Sequence, residues 1–323
     1  MTALVPGLRA AAEDVAERTL ACPVTIWGFG VGGMLSGLVR AGLVLGRPAY
    51  VERVADLVGP SLAAAPAATD HLIAVEALQA LRAARPDVVI DDACARWTDA
   101  VVTAGRRVPG GPRVHRPDLQ RWSSTIWVDC MHTDGPGLAA LGRPDDAVAY
   151  ATEYAVVLQR DDGLFHHGFD VDTGRGNGVA WGRGQCWALL GLVDTLHAVA
   201  DDQLHRRLQR LVEALVRHED GGQWHTVVDD PAAPIENSVA AYVAYGLARA
   251  IRYGLVGDEY LPVVDRAFDA TMHGLDDGGL EVSEATPVGD AANYVTRASA
   301  VYPWGQAPVL HAVLDRIEQE GNR

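Results

Sequence analysis

Apolar residues recur at three- and four-residue spacing in segment after segment of this chain, while strict alternation is nearly absent. That period predicts helices over residues 8–20, 28–44, 48–58, 69–84, 91–104, 129–141, 145–159, 184–199, 202–218, 236–254, 258–273 and 303–320. Several of these starts carry an acceptor or a proline, as at Asp145, Asp258 and Pro48. The connections differ in length. Residues 105–128, 160–183, 219–235 and 274–302 form long ones rich in Gly, Asp, His and Trp, whereas Gly142–Pro144 and Gly254–Gly257 are tight turns. Helices joined in this way pair into six hairpins, which can close into a double ring or stack as an open solenoid. A solenoid needs a fixed sequence period, and none is found. In a closed ring the long connections gather at one end and build a pocket.

Composition allows a large core. The chain has 323 residues, 49% of them hydrophobic and 21% charged, and no stretch reads as a linker. The Ala/Pro-rich segment Pro60–Ala68 comes nearest but is short, so residues 1–323 are read as one domain. A formal net charge of -15 argues against nucleic acid or an anionic membrane as partner, because both call for a basic face. Glu13, Asp14 and Glu17 interrupt what would be the apolar heart of a signal peptide, and Gly, Ser and Arg break up Val24–Val44. Cys22, Cys94, Cys130 and Cys186 lie too far apart for a zinc or redox pair. A cytoplasmic protein with four free thiols is the expectation.

Candidate chemistry is concentrated in a few segments. Trp181-Gly182-Arg183-Gly184-Gln185-Cys186-Trp187 opens a helix just after Leu164-Phe165-His166-His167-Gly168-Phe169-Asp170. Indole faces stack on pyranose rings and an arginine fork matches a carboxylate, so the pair of segments suits an acidic sugar. Trp127-Val128-Asp129-Cys130-Met131-His132 sets a carboxylate among aromatic and sulfur side chains, and Ile90-Asp91-Asp92 ends an apolar run with two more. Either carboxylate group could instead cap its helix. His166, His167, Asp170 and Asp172 invite a metal reading, but adjacent loop histidines rarely point at one ion and no further cluster completes the set. No metal and no cofactor are expected.

Together with Glu236-Asn237-Ser238 and Tyr302-Pro303-Trp304-Gly305-Gln306, these segments resemble the unsaturated uronyl hydrolases of glycoside hydrolase families 88 and 105. The resemblance runs from Trp27-Gly28 to Gly305. It implies an all-α fold, the (α/α)6 barrel, and a small acidic oligosaccharide ending in a 4,5-unsaturated uronic acid as substrate. The chemistry it implies is protonation of C4 and hydration of C5 of a vinyl ether, for which one carboxyl group serves as acid and then as base. Asp129 matches that acid, and Asp91, with Asp92 as alternative, the second carboxylate. Burial beside Trp127 and Met131 would favour a protonated Asp129. His167 matches a histidine against the substrate, Trp181 a stacking position and Arg183 a carboxylate contact. Trp27, His132, Trp187 and Trp304 complete the expected binding wall.

Departures from the family concern His132, Asp134, Cys186, His166 and Phe169, and the loop between His167 and Trp181 is short. Two other readings stay open: an epimerase using His167 with His225 or His311 as acid and base, and a helical scaffold without catalysis. A terpene-type cyclase would need a further aspartate four residues on from Asp91-Asp92, which this sequence lacks.

Overall fold

The computed structural model describes residues 4–23, 30–62, 75–103 and 112–321. Within them lie thirteen helices and six short strands. The helices are α1 (Leu4–Leu20), α2 (Val31–Leu45), α3 (Pro48–Val58), α4 (Val75–Ala84), α5 (Asp91–Thr103), α6 (Cys130–Ala140), α7 (Pro144–Leu158), α8 (Gly182–Ala198), α9 (Asp202–Arg217), α10 (Asn237–Arg252), α11 (Leu261–His273), α12 (Ala292–Val295) and α13 (Pro303–Gly321). All twelve expected helices are present. Among the described residues α12 is the one α-helix not foreseen, while residues 28–29, 69–74 and 104 of the expected helices lie outside them.

Six of the helices form a closed ring. Each touches the next in the series α2, α4, α6, α8, α10, α13, and α13 returns to α2. The others lie outside: α1 packs on α2 and α13, α3 on α2 and α4, α7 on α6 and α8, α9 on α8, and α11 on α10. Helix α5 docks through Trp97, which fills the space where Gly137 of α6 has no side chain. The fold is an (α/α)6 barrel.

Burial separates the two rings as this arrangement demands. The outer α9 buries one stripe, Leu204, Leu208, Leu211, Val212 and Leu215, whereas the inner α8 is buried at every position from Gly182 to Val193. A helix enclosed on all sides must be apolar or internally paired all round. Inner helices also approach closely where glycine permits it. A Cβ on Gly191 of α8 would stand 2.2 Å from the carbonyl oxygen of Met131 on α6, so Gly191→Ala forces the two helices apart. We expect it to cost ~1–3 kcal/mol by chemical denaturation.

Chain direction decides where the site lies. Connections that leave the inner helices are short, as at Gly46–Arg47, 141–143 and 199–201, while those that enter them are long. The long ones therefore share the end marked by the N-termini of the inner ring. Two small sheets stiffen them. β1 (Thr125–Trp127) pairs antiparallel with β2 (Gly168–Asp170), with Trp127 opposite Gly168, and β2 pairs with β3 (Arg175–Gly176). β4 (Leu275–Asp276), β5 (Gly279–Ser283) and β6 (Ser299–Val301) form the second, turned by Asp277-Gly278, both at positive φ. No helix among the described residues is long and apolar enough to cross a membrane.

Candidate active site

Asp129 is the residue before α6, yet its side chain makes no capping hydrogen bond. Other helix starts are capped: Asp201 accepts from the Leu204 amide at α9 and Glu236 from the Ser238 amide at α10. Asp129 is instead 4% exposed and turned to His167, whose Nε2 lies 3.1 Å from its Oδ2. Backbone bonds set this pair. The Val128 amide donates to the His167 carbonyl at 2.9 Å, continuing the β1–β2 ladder, and the His167 amide donates to Val179 at 2.9 Å.

The proton positions follow from the neighbours. Tyr294 Oη accepts from Asn177 Nδ2 at 3.0 Å and from the Gly289 amide at 3.3 Å. Its hydroxyl proton is thus left for His167 Nδ1, at 2.7 Å. The Asn177 orientation is fixed because its Oδ1 accepts from the Gly168 and Val179 amides while its Nδ2 also donates to the Gly289 carbonyl. A neutral His167 then carries its proton on Nε2 and donates to Asp129 Oδ2, leaving Oδ1 for other chemistry. Burial pushes the Tyr294 hydroxyl well above the usual tyrosine range, so it stays protonated.

Aromatic rings wall this chain. Trp181 lies 4.4 Å from the His167 ring, Trp127 meets its edge at 5.6 Å, and Tyr294 at 5.5 Å. Beneath Trp181 runs Arg183, its guanidinium 4.7 Å from that ring and 5.7 Å from Trp304. Arg183 is 2% exposed, and its fork is spent inside the protein: Nη1 on Glu236 at 3.2 Å and on Ser283 at 3.3 Å, Nη2 on the Glu284 carbonyl at 2.9 Å. It stands at the expected end but paired, not as a free fork. Trp304 is tied by its Nε1 to the Ser283 carbonyl and stacks on Tyr302.

Other expected site residues lie elsewhere. Trp187 and His132 are one turn further into the ring, stacked at 5.0 Å, and form a floor below the wall. Asp91 does not join Asp129; its side chain is 70% exposed and pairs with Arg82 at 2.9 Å. The apolar run before it buries Ile90, not the carboxylates that follow, and Asp92 is exposed as well. Trp27 lies outside the described residues. Asp170 ends β2 and accepts from Ser124 and Thr173, and among the described residues no group of three or more His, Cys, Asp or Glu is placed to hold a metal ion. His225 donates from Nδ1 to the Ala233 carbonyl within its own loop, and His311 stacks on Tyr245 in the bore, so neither faces Asp129 with His167 in the way an epimerase pair would. The four cysteines are free and buried.

The family model for glycosyl hydrolase family 88 matches residues 10–319. The chain belongs to that family. This family 88 protein is 26% identical over 211 residues to the unsaturated rhamnogalacturonyl hydrolase YesR of Bacillus subtilis, a match covering 59% of this chain and 60% of that relative. Among solved structures it superposes on a possible member of family 105 from Klebsiella pneumoniae with TM-score 0.87 and 20% identity, over 98% of this chain and 94% of the other. The unsaturated glucuronyl hydrolase of Bacillus sp. GL1, described as responsible for glycosaminoglycan degradation, gives TM-score 0.73 at 15% identity over 98% and 97%. These likenesses bear on the fold of the family 88 protein.

Tyr294 and Asn177 were not among the residues singled out in the sequence, and Glu236 was named there only as part of a matching segment, without a role. Tyr294 sits on a single helical turn in a long loop, 127 residues from its partner, and no local pattern marks it. As a positioning residue it is open to test. Tyr294→Phe removes one hydrogen bond to His167 without changing the wall, so kcat should fall ~3–10-fold with KM little altered.

Proposed function

We propose that this protein hydrolyses oligosaccharides that end in a 4,5-unsaturated uronic acid. The observation that carries the reading is the buried Asp129 carboxyl, held by a proton-fixed His167 in an aromatic pocket. In this reading Asp129 delivers a proton to C4 of the vinyl ether, and the cation that develops at C5 takes up water. The same carboxylate then accepts the proton from that water. The hemiketal so formed opens and releases the remaining saccharide. No second carboxylate is required. His167, donating from Nε2, holds Oδ2 in place and leaves Oδ1 to face the ring.

Trp181 and Trp304 offer flat surfaces to the sugar, and Arg183 acts from behind by fixing both indoles through its charge and its ion pair with Glu236. Asp91 is left out of the mechanism, since its exposed pair with Arg82 gives it no access to the pocket wall. Family membership and the curated rhamnogalacturonyl hydrolase relative support the substrate class. The test is to incubate the protein with lyase-generated disaccharides bearing unsaturated glucuronate or galacturonate and follow loss of absorbance of the conjugated double bond. Decay with at least one of them is expected. Absence of decay with all, on folded protein, would sink the reading.

A further inference from the structure

Below the Trp187 and His132 floor the bore widens again, towards the end of the ring remote from Asp129. A cavity of about 280 Å3 lies there, with Ala139, Ala140 and His197 from the last turns of α6 and α8 along its edge. Its polar lining includes Glu76, Gln79, Thr133, Asp194 and Arg249. Arg249 is fully engaged: Nη2 lies 2.6 Å from Asp194 Oδ1, Nη1 donates to Tyr245 at 2.7 Å, and Nε donates to Tyr253 at 3.4 Å. Its charge is therefore matched by Asp194.

Glu76 is not matched in that way. Its Oε1 accepts from Ser36 at 2.9 Å, but His132 Nε2 and His311 Nε2 stand 3.9 Å from its two oxygens, beyond hydrogen-bond length. About a third of the Glu76 side chain, 32%, is open to solvent. His311 donates from Nε2 to the Gly33 carbonyl at 3.0 Å, and burial lowers its pKa to about 4, so the ring is neutral. His132, only 8% exposed, also lines the cavity, and its Nδ1 has no hydrogen-bond partner. A buried polar atom left unpaired costs ~1–3 kcal/mol. The partly open Glu76 carboxylate and the His132 ring thus border one cavity without a hydrogen bond between them.

We infer that this cavity is a second ligand site, taking a small hydroxylated primary amine of monosaccharide size whose ammonium seats on Glu76. An ammonium supplies three donors and a compact positive charge, which is what Glu76 lacks. Among the described residues lining it, a carboxylate or phosphate ligand finds no free cation, because Arg249 is spent on Asp194 and two tyrosines. A metal ion finds no cluster of three or more suitable ligands among the described residues. Gln79 and Thr133 offer partners to hydroxyl groups. The site is separate from the catalytic pocket, and its existence does not depend on the reaction proposed above.

D-glucosamine is the probe, titrated calorimetrically into the full chain at slightly acidic pH, with D-glucose as the uncharged match. One saturable glucosamine site per chain is expected, with glucose at least tenfold weaker. Glu76→Gln should weaken glucosamine at least tenfold, Asp129→Asn should leave it unchanged, and neither Glu76→Gln nor Ala140→Trp should abolish turnover. Ala140→Trp obstructs the edge of the cavity at an exposed helix end, so it tests the location even where Glu76→Gln perturbs the fold, and it should block binding. The inference is overturned if glucosamine does not bind, if glucose binds equally well, if binding survives Ala140→Trp, or if Asp129→Asn removes it.

Discussion

Asp129→Asn is expected to lower kcat on an unsaturated uronyl disaccharide on the order of 10²–10⁴-fold while KM changes little. The amide keeps the shape of the carboxyl group, and its oxygen still accepts from His167 Nε2 across 3.1 Å. Trp127, Trp181 and Tyr294 therefore stay where they are, and the sugar is bound as before. Only the transferable proton is lost. Initial rates from the decay of the conjugated double bond, with a thermal melt to show an intact fold, decide the matter. Turnover within tenfold of the parent would assign the acid to another residue.

The second large effect concerns Arg183 and stability. Arg183 and Glu236 are both 2% exposed at the side chain and pair at 3.2 Å. Removing the guanidinium leaves a carboxylate in the interior with only Ser238 and Ser283 as donors. Losing one member of a buried pair commonly costs ~3–5 kcal/mol, because the remaining charge cannot return to water. Arg183→Ala should show that loss as a lower denaturant midpoint. The double variant Arg183→Met with Glu236→Gln should recover most of it, since no charge is then buried alone. A loss below ~1 kcal/mol in the single variant would mean that the pair is not the structural tie described.

The residues proposed for catalysis differ in how well their surroundings could be read from the chain. Asp129 and His167 stand in aromatic segments that mark them locally, and the structure brings them within hydrogen-bond distance. Asp91 carries the same local signal, an apolar run followed by a carboxylate, and lies on the surface with Arg82. The run predicts burial of Ile90 and nothing about the side chain after it. Arg183 was legible as an arginine among tryptophans, but its partner Glu236 lies 53 residues on and closes the fork that a free carboxylate would need. The six strands escaped notice because none exceeds five residues; pairs such as Trp127 with Gly168 exist only through partners distant in the chain.

What the sequence by itself determined is the helical period, the twelve main helices, and the alternation of long and short connections, since each of these is fixed by residues within a turn or two of one another. It also marked the aromatic segments from which the pocket is made. Closure of the ring, the pairing of Asp129 with His167 and Tyr294, and the widening of the bore around Glu76 were decided by tertiary structure. The physical reason is distance along the chain: a hydrogen bond from Tyr294 to His167 or a contact of α13 with α2 depends on where the inner helices come to rest, and no local pattern of apolar and polar residues encodes that position.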